Sequence, residues 1–172
     1  VLSQGNVAAG PKLASQIAHS PGIGSVSSLR IARGKLDGRD VQVIGIDPAT
    51  YLKVASLEWN EGSSDAAVAQ LAQGRWLIGN GIFSGQAGAA LGKTRAPETP
   101  NRPRTYHVAG IGNDYLNAKV ATIYVSQDML ARDFSVTSDM LVMANRLPSA
   151  DPASTKAALV KIVADYPGFQ LY

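Results

Sequence analysis

Apolar residues recur at helical spacing near both ends of the chain and at strand spacing through much of the middle, and the two ends match each other. Leu13-Ala14-x-x-Ile17-Ala18-x-x-Pro21-Gly22-Ile23 realigns with Leu159-Val160-x-x-Val163-Ala164-x-x-Pro167-Gly168-Phe169. In each copy an apolar helical face is stopped by Pro-Gly, and an extended apolar segment follows. Paired units of this kind are the halves of a split β-α-β fold, so the residues between them read as an insertion into one sheet. The expected class is α+β.

The same patterning divides the rest of the chain. Residues 11 to 20 open on Pro11 and place Leu13, Ala14, Ile17 and Ala18 on one helical face. Residues 23 to 33 and 41 to 47 read as strands, joined through Asp37-Gly38 as a hairpin with a loop of several residues. Asp47-Pro48 breaks the second strand, and residues 48 to 64 read as an irregular connector. A short helix is expected from Ala66 to Gln73, closed by Gly74. Next come a strand from Arg75 to Ile78, a helical stretch from Phe83 to Leu91, and a Pro-rich loop from Arg95 to Pro103. Strands at 104 to 112 and 118 to 125 then lead to Ser126, which caps a helix at 127 to 133 with Asp128 in its first turn. Met140 to Ala144 is a strand, Asp151-Pro152 opens a helix carrying Leu159, Ile162, Val163 and Tyr166 on one face, and Phe169 to Tyr172 is the last strand.

Composition narrows the function more than the fold. The 172 residues are 45% hydrophobic but only 17% charged, below the usual quarter or so. Sixteen Lys and Arg against thirteen Asp and Glu give +3, and the densest basic group (Lys93, Arg95, Arg102, Arg104) is broken by prolines. Nucleic-acid binding needs a clustered basic stripe with aromatic platforms, so no nucleic-acid partner is expected. With no cysteine, disulfides, thiolate metal sites and cysteine nucleophiles are all excluded. No apolar run approaches the ~18 residues that span a bilayer, and the first residues lack the form of a signal peptide. Val1-Leu2-Ser3, without an initiating methionine, reads as a strand already under way, so the chain is expected to be a domain cut from a longer protein.

Three motifs imitate catalytic signatures. Ala87-x-x-x-x-Gly92-Lys93-Thr94 satisfies a relaxed phosphate-loop pattern, yet it ends a helical run and enters Arg95-Ala96-Pro97, where a helix cannot propagate. Gly92 is read instead as a helix C-cap, with Lys93 at the negative helix end. Tyr115-x-x-x-Lys119 matches a dehydrogenase-type pair, but Gly112-Asn113-Asp114 reads as a turn, which places both in a hairpin loop. Gly110-x-Gly112 meets Tyr115 where a dinucleotide fingerprint needs its third glycine. His19 and His107 have no companion at metal-ligand spacing, and Asp37, Asp40, Asp47 and Asp114 are turn residues rather than a catalytic pair. No catalytic, cofactor-binding or metal-ligating residue is therefore assigned. Glu58, Trp59 and Glu61 form an acidic and aromatic patch that is the candidate partner contact.

One segment points further. Leu29-Arg30-Ile31-Ala32 through Asp37-Gly38-Arg39-Asp40-Val41-Gln42-Val43-Ile44-Gly45-Ile46-Asp47-Pro48 resembles the extracytoplasmic domain of MacB/FtsX-like ABC transporter permeases. Leu71-Ala72-Gln73-Gly74-Arg75-Trp76-Leu77-Ile78 is similar to that family's helix-Gly-strand step, Gly81 to Gly92 to the following helix, and Arg104-Thr105-Tyr106-His107-Val108-Ala109-Gly110-Ile111 to a later strand. The chain departs from the family where Gly92-Lys93-Thr94-Arg95 leads straight to prolines, so the strand usual there is expected to be short or absent. The resemblance implies a porter-like α/β subdomain made of 1–64 and 138–172 and a smaller mixed α/β subdomain inserted as 65–137. It also implies flanking transmembrane helices, a cytoplasmic ATPase partner, a dimeric full-length protein, and a place on the extracytoplasmic side of the cell membrane. The function it implies is non-catalytic: coupling ATP-driven conformational change to an external adaptor or cargo. The alternative is a module that binds or senses a peptide, lipid or lipoprotein in the cleft between subdomains.

Overall fold

The computed structural model describes residues 1–3, 9–101, 104–114, 117 and 119–172. The chain opens with β1 (Leu2–Ser3), α1 (Lys12–Ala18), and the long pair β2 (Ile23–Leu36) and β3 (Arg39–Ile46). A 3-10 turn (Tyr51–Lys53), β4 (Glu58–Glu61), α2 (Ser64–Ala72), β5 (Trp76–Gly79) and α3 (Gly81–Ala87) follow. Then come β6 (Thr94–Arg95), β7 (Tyr106–Asn113), β8 (Thr122–Ser126), α4 (Gln127–Phe134), β9 (Leu141–Arg146), α5 (Pro152–Ala164) and β10 (Phe169–Gln170). The strands form one mixed sheet in the order β10-β1-β9-β2-β3-β8-β5-β7-β4, with β6 also on β7. Among the described residues no helix is long and apolar enough to cross a membrane.

The outer four strands, β10-β1-β9-β2, are antiparallel throughout, and α1 and α5 pack together on them through Leu13, Ile17, Val142, Val163 and Phe169. This is the split β-α-β unit that the repeat predicts. Leu2 pairs with Gln170 and Ser3 with Phe169, and the Val1 amino group donates to the Val142 carbonyl at 2.7 Å, so the two chain ends emerge at one edge. Gly22 and Gly168 hold φ of 84° and 94°, the left-handed region that the Pro-Gly turns require. A Cβ on Gly22 would collide with Thr155 Oγ1, so the turn after α1 seats directly on the first turns of α5.

The inner sheet begins where β3 runs parallel to β8, from Gln42 beside Thr122 to Ile46 beside Ser126. Both strands are buried and almost continuously apolar, as a strand covered on both faces must be. On one face Val43, Ile123, Val125 and Leu77 pack against Phe83 of α3 and Leu130 and Phe134 of α4. On the other, Ile44, Ile46, Ile78 and Tyr124 pack against Leu71 of α2 and Tyr51.

Several expectations are corrected. The connector at 48 to 64 contains β4, which hydrogen-bonds to β7, because Glu58 to Glu61 are extended beside the small residues Gly110 and Gly112. The β2 and β3 hairpin closes through two residues rather than several: Leu36 pairs with Arg39, and Asp37 and Gly38 take φ of 52° and 73°, the primed turn that matches strand twist. The helix after β5 ends at Gly88, in the left-handed conformation, and not at Gly92. β7 and β8 do not form a hairpin, since β5 lies between them, parallel to β7 and antiparallel to β8. The strand expected to be short or absent is β6, two residues long. The caps expected of Ser126 and Asp151 are made, their side chains accepting from the Met129 and Ser154 amides.

Candidate interaction surface

Glu58, Trp59 and Glu61 lie together on β4, the terminal strand of the sheet. Two glycines on the neighbouring strand prepare the site. A Cβ on Gly110 would stand 2.7 Å from the Trp59 ring and one on Gly112 would stand 3.3 Å from it, so the indole lies flat on backbone that side chains would otherwise cover. The result is a half-buried indole packed onto the core around Tyr51 and Leu71, whose Nε1 has no hydrogen-bond partner among the described residues. A register shift between Trp59 and Glu61 bulges the strand, which with its charges makes a poor template for further pairing.

Glu61 faces a different neighbour. Its Oε2 accepts from the Leu91 amide at 2.9 Å, which ties β4 to the loop after α3, and Leu91 itself is 52% exposed. Gly92 donates to the Val108 carbonyl and Val108 donates back to Lys93, both at 2.8 Å. Thus β6, the 91–93 segment and β4 cover one side of β7 in succession. Asn60 Oδ1 accepts from Asn113 Nδ2 at 2.7 Å at the far end, and Glu58 is exposed beside it. The β4 edge therefore carries a half-buried indole, Trp59, and two exposed carboxylates, with the exposed Leu91 tied beside Glu61.

The imitated signatures are placed plainly. Lys93 and Thr94 sit in the stretch that pairs with β7, and the amides of Gly92 and Lys93 are already taken, by the Val108 carbonyl of β7 and by the Ala90 carbonyl of the preceding turn. Lys119 lies in a turn and not on a helix, while Tyr115 is outside the described residues. His19 caps the C-terminus of α1, its Nδ1 2.7 Å from the Ser15 carbonyl, and exposed His107 stacks at a tilt on Trp76 with ring centres 5.0 Å apart. Asp47 accepts from the Ala49 amide and the Thr50 hydroxyl, each at 2.9 Å, as a turn aspartate does. Among the described residues no three His, Cys, Asp or Glu side chains gather as a metal would require.

Two buried polar clusters went unseen in the sequence. Asp133, on the inner side of α4, accepts from Tyr106 Oη at 2.6 Å and from Arg132 Nε at 3.0 Å, with Arg104 Nε at 3.4 Å. Burial works to raise its carboxyl, but the hydrogen bonds from Arg132 and Tyr106 and the two guanidinium charges outweigh it and hold the group below the ordinary range. Asp114 accepts from Tyr124 Oη at 2.8 Å and from the Asn117 amide at 2.7 Å. Burial first, and the Asp114 carboxylate second, push the Tyr124 phenol far above its usual value. The first brings Arg104 and Tyr106 to Asp133, 29 and 27 residues further on, and the second closes a loop between Asp114 and Tyr124, ten residues apart; no helical or strand period announces either.

With fold and surface described, the class is defined: the chain has the fold of the extracytoplasmic domains of ABC transporter permeases. The extracellular domain of the noncanonic ABC-type transporter YknZ from Gram-positive bacteria matches 96% of this chain and 88% of its own, at 16% identity and a TM-score of 0.69. The periplasmic region of MacB from Actinobacillus actinomycetemcomitans matches 95% and 81%, at 12% identity and 0.68. A domain of a putative permease protein from Porphyromonas gingivalis matches 96% and 78%, at 18% identity and 0.58. No family model matches the sequence, and no curated protein does. At these identities the likeness is one of fold.

Proposed function

We propose that this chain is the non-catalytic extracytoplasmic domain of an ABC transporter permease, and that it transmits ATP-driven motion to an external partner met at the β4 edge. The observation that carries the reading is the split β-α-β unit with both chain ends on adjacent strands, β1 and β10. Membrane segments attached to those ends would enter at one edge, which is what a domain inserted between two transmembrane helices needs. In this reading residues 1–64 and 138–172 form the porter-like part and 65–137 the inserted part, except that β4, within the first stretch, crosses over to pair with β7 of the inserted part. The parallel β3 and β8 pair makes a stiff joint between them. The cytoplasmic ATPase acts through the flanking helices, the full-length protein is a dimer, and the domain lies outside the cell membrane.

The partner surface is Trp59 and Leu91 with Glu58 and Glu61. A half-buried indole and an exposed leucine beside two carboxylates fit a partner that offers apolar and basic side chains. A ligand module would instead rest on a cavity between the two parts. Hollows of about 440 and 390 Å³ lie along α5 and the last residues of the chain, and one of about 380 Å³ lies between β2, β3 and Val120, where such a ligand would have to sit. The test uses the full-length permease with its ATPase in membranes. A photo-reactive residue at Glu58 should capture an extracytoplasmic protein, Glu58→Lys with Glu61→Lys should abolish that capture, and ATP hydrolysis by the complex should persist. Transport that continues unchanged in the double variant overturns the partner surface.

A further inference from the structure

Strand β2 belongs to two ladders. From Ile23 to Leu29 it pairs with β9 and from Leu29 to Leu36 with β3, so within β2 only Leu29 has a partner on both sides, Leu141 and Ile46. Side chains alternate between the two faces along a strand. On the face that carries α1, α4 and α5, Val26 packs into the outer core with Leu13 and Val142, and Ala32 packs into the inner core with Leu130 and Phe134. Between them on that face stand Ser28 and Arg30, both polar, and there the two cores part. The opposite face has no such break, because Leu29, Leu141 and Met143 pack with Ile46 and Tyr51.

Polar bonds close the gap between the cores on both sides of β2. On the β3 side the ladder ends at Ile46, and Gln127, the first residue of α4, donates from Nε2 to the Ser28 carbonyl at 2.8 Å and stands 3.1 Å from the Ser28 hydroxyl. On the β9 side Arg30 Nε donates to Asp139 Oδ1 at 3.0 Å, and that carboxylate is 1% exposed. Asp139 belongs to the outer unit, since its amide and its carbonyl both bond to Ala9. Among the described residues the chain passes between the cores at two places, through Leu29 in β2 and through the segment from Phe134 to Asp139. The pair of Arg30 and Asp139 joins those two crossings.

We propose that this polar seam is the clasp of a hinge. The outer unit, made of β1, α1, β9, α5, β10 and the first half of β2, turns against the rest of the sheet about the apolar row at Leu29, and the bonds of Gln127 and Arg30 hold it closed. The physical reason is a difference in cost. Separating packed apolar side chains exposes them to water, whereas water takes up opened hydrogen bonds and a separated ion pair at small net cost. The molecule is therefore weakest along the seam and strongest along the continuous apolar face, which is the arrangement of a hinge. The β3 and β8 pair moves with the inner part, so the boundary of motion lies at Leu29 and not at residue 64. That this turning carries ATP-driven motion rests on the permease reading above; the turning itself does not.

The chain has no cysteine, so pairs can be placed at exposed sites to carry spin labels. Lys12→Cys on α1 with Asp128→Cys on α4 spans the seam, Lys12→Cys with Lys161→Cys lies within the outer unit, and Asp40→Cys with Asp128→Cys lies within the inner part. Gln127→Ala with Arg30→Gln should add a longer distance to the first pair alone. Each removal should raise the open share about fivefold, the weight of one net hydrogen bond, and the two together about twenty-fivefold. Gln127→Ala by itself, at a half-buried site, keeps the test available should the double variant fail to fold. An unchanged first distance in the variants, or lengthening of the second or third pair as well, would overturn the hinge. In the full-length permease with its ATPase, a cleavable cross-link between the Lys12→Cys and Asp128→Cys thiols should stop transport while ATP hydrolysis persists, and cleavage should restore transport. Transport that continues through the closed cross-link would overturn the hinge as the route of coupling. A chain that opens at the seam while the full-length protein moves no cargo would remove the permease reading alone.

Discussion

Asp133 shows how much one buried carboxylate can organise. It is 1% exposed, and its two oxygens collect a phenol, Tyr106, and two guanidinium groups, Arg104 and Arg132, from β7, α4 and the strand approach. Asp133→Ala would strand the Tyr106 hydroxyl and leave two cations without their anion, a loss of about 3 kcal/mol. For a chain of this size that is a fall of roughly 10 °C in Tm. The pH dependence follows from the direction of its shift. The folded carboxyl lies below the ordinary value of 3.8, so its contribution is complete above about pH 4 and is lost as pH falls through the folded value. Denaturant titrations of the parent and of Asp133→Asn should therefore differ most near neutrality and converge in acid. A gap that stays constant as pH falls well below the ordinary carboxylate range would contradict the assignment.

At the scale of elements, Asn80 is the joint. It is 1% exposed at the N-cap of α3, where Oδ1 accepts from the Phe83 amide at 2.9 Å and from the Thr122 amide at 3.1 Å. Its Nδ2 donates to the carbonyls of Asn117 at 3.1 Å and Val120 at 2.7 Å. One side chain thus starts a helix and holds the loop before β8. Asn80→Ala should cost about 3 kcal/mol, more than a surface cap, because the Thr122 amide and two carbonyls lose their partner together. Hydrogen exchange at Phe83 and Thr122 should accelerate in that variant before global unfolding. Equal protection in both proteins would reduce Asn80 to an ordinary cap. Asparagine ahead of a helix is a readable N-cap signal, but the bond to Thr122 depends on β8 being brought beside β5.

For the whole molecule, the pairing of β1 with β10 sets where the ends go. Leu2 faces Gln170 in the antiparallel register, and the chain has no cysteine of its own. Leu2→Cys with Gln170→Cys should therefore oxidise to a single intramolecular disulfide in the folded protein and raise Tm, whereas a chain that forms only intermolecular bridges would show that the ends are apart. The stabilisation expected from loop closure is about 5 kcal/mol, since the loop it closes is nearly the full chain.

The sequence by itself determined what depends on neighbours along the chain. The Pro-Gly stops after α1 and α5, the caps at Ser126 and Asp151, the Asp37-Gly38 turn and the matching helix-strand units all follow from dihedral limits and short-range hydrogen bonds. From the repeat came the split β-α-β plan, because two like units flanking an insertion have few ways to share one sheet. Only the tertiary structure decided that β5 enters between β8 and β7, that β4 exists as a strand, and that Glu61 ties to Leu91. Alternation of apolar and polar residues says which face of a strand is buried but not which strand lies beside it. The Asp133 cluster belongs to the same category, since Arg104 and Tyr106 reach Asp133 only where β7 packs against α4, and no spacing in the chain records it.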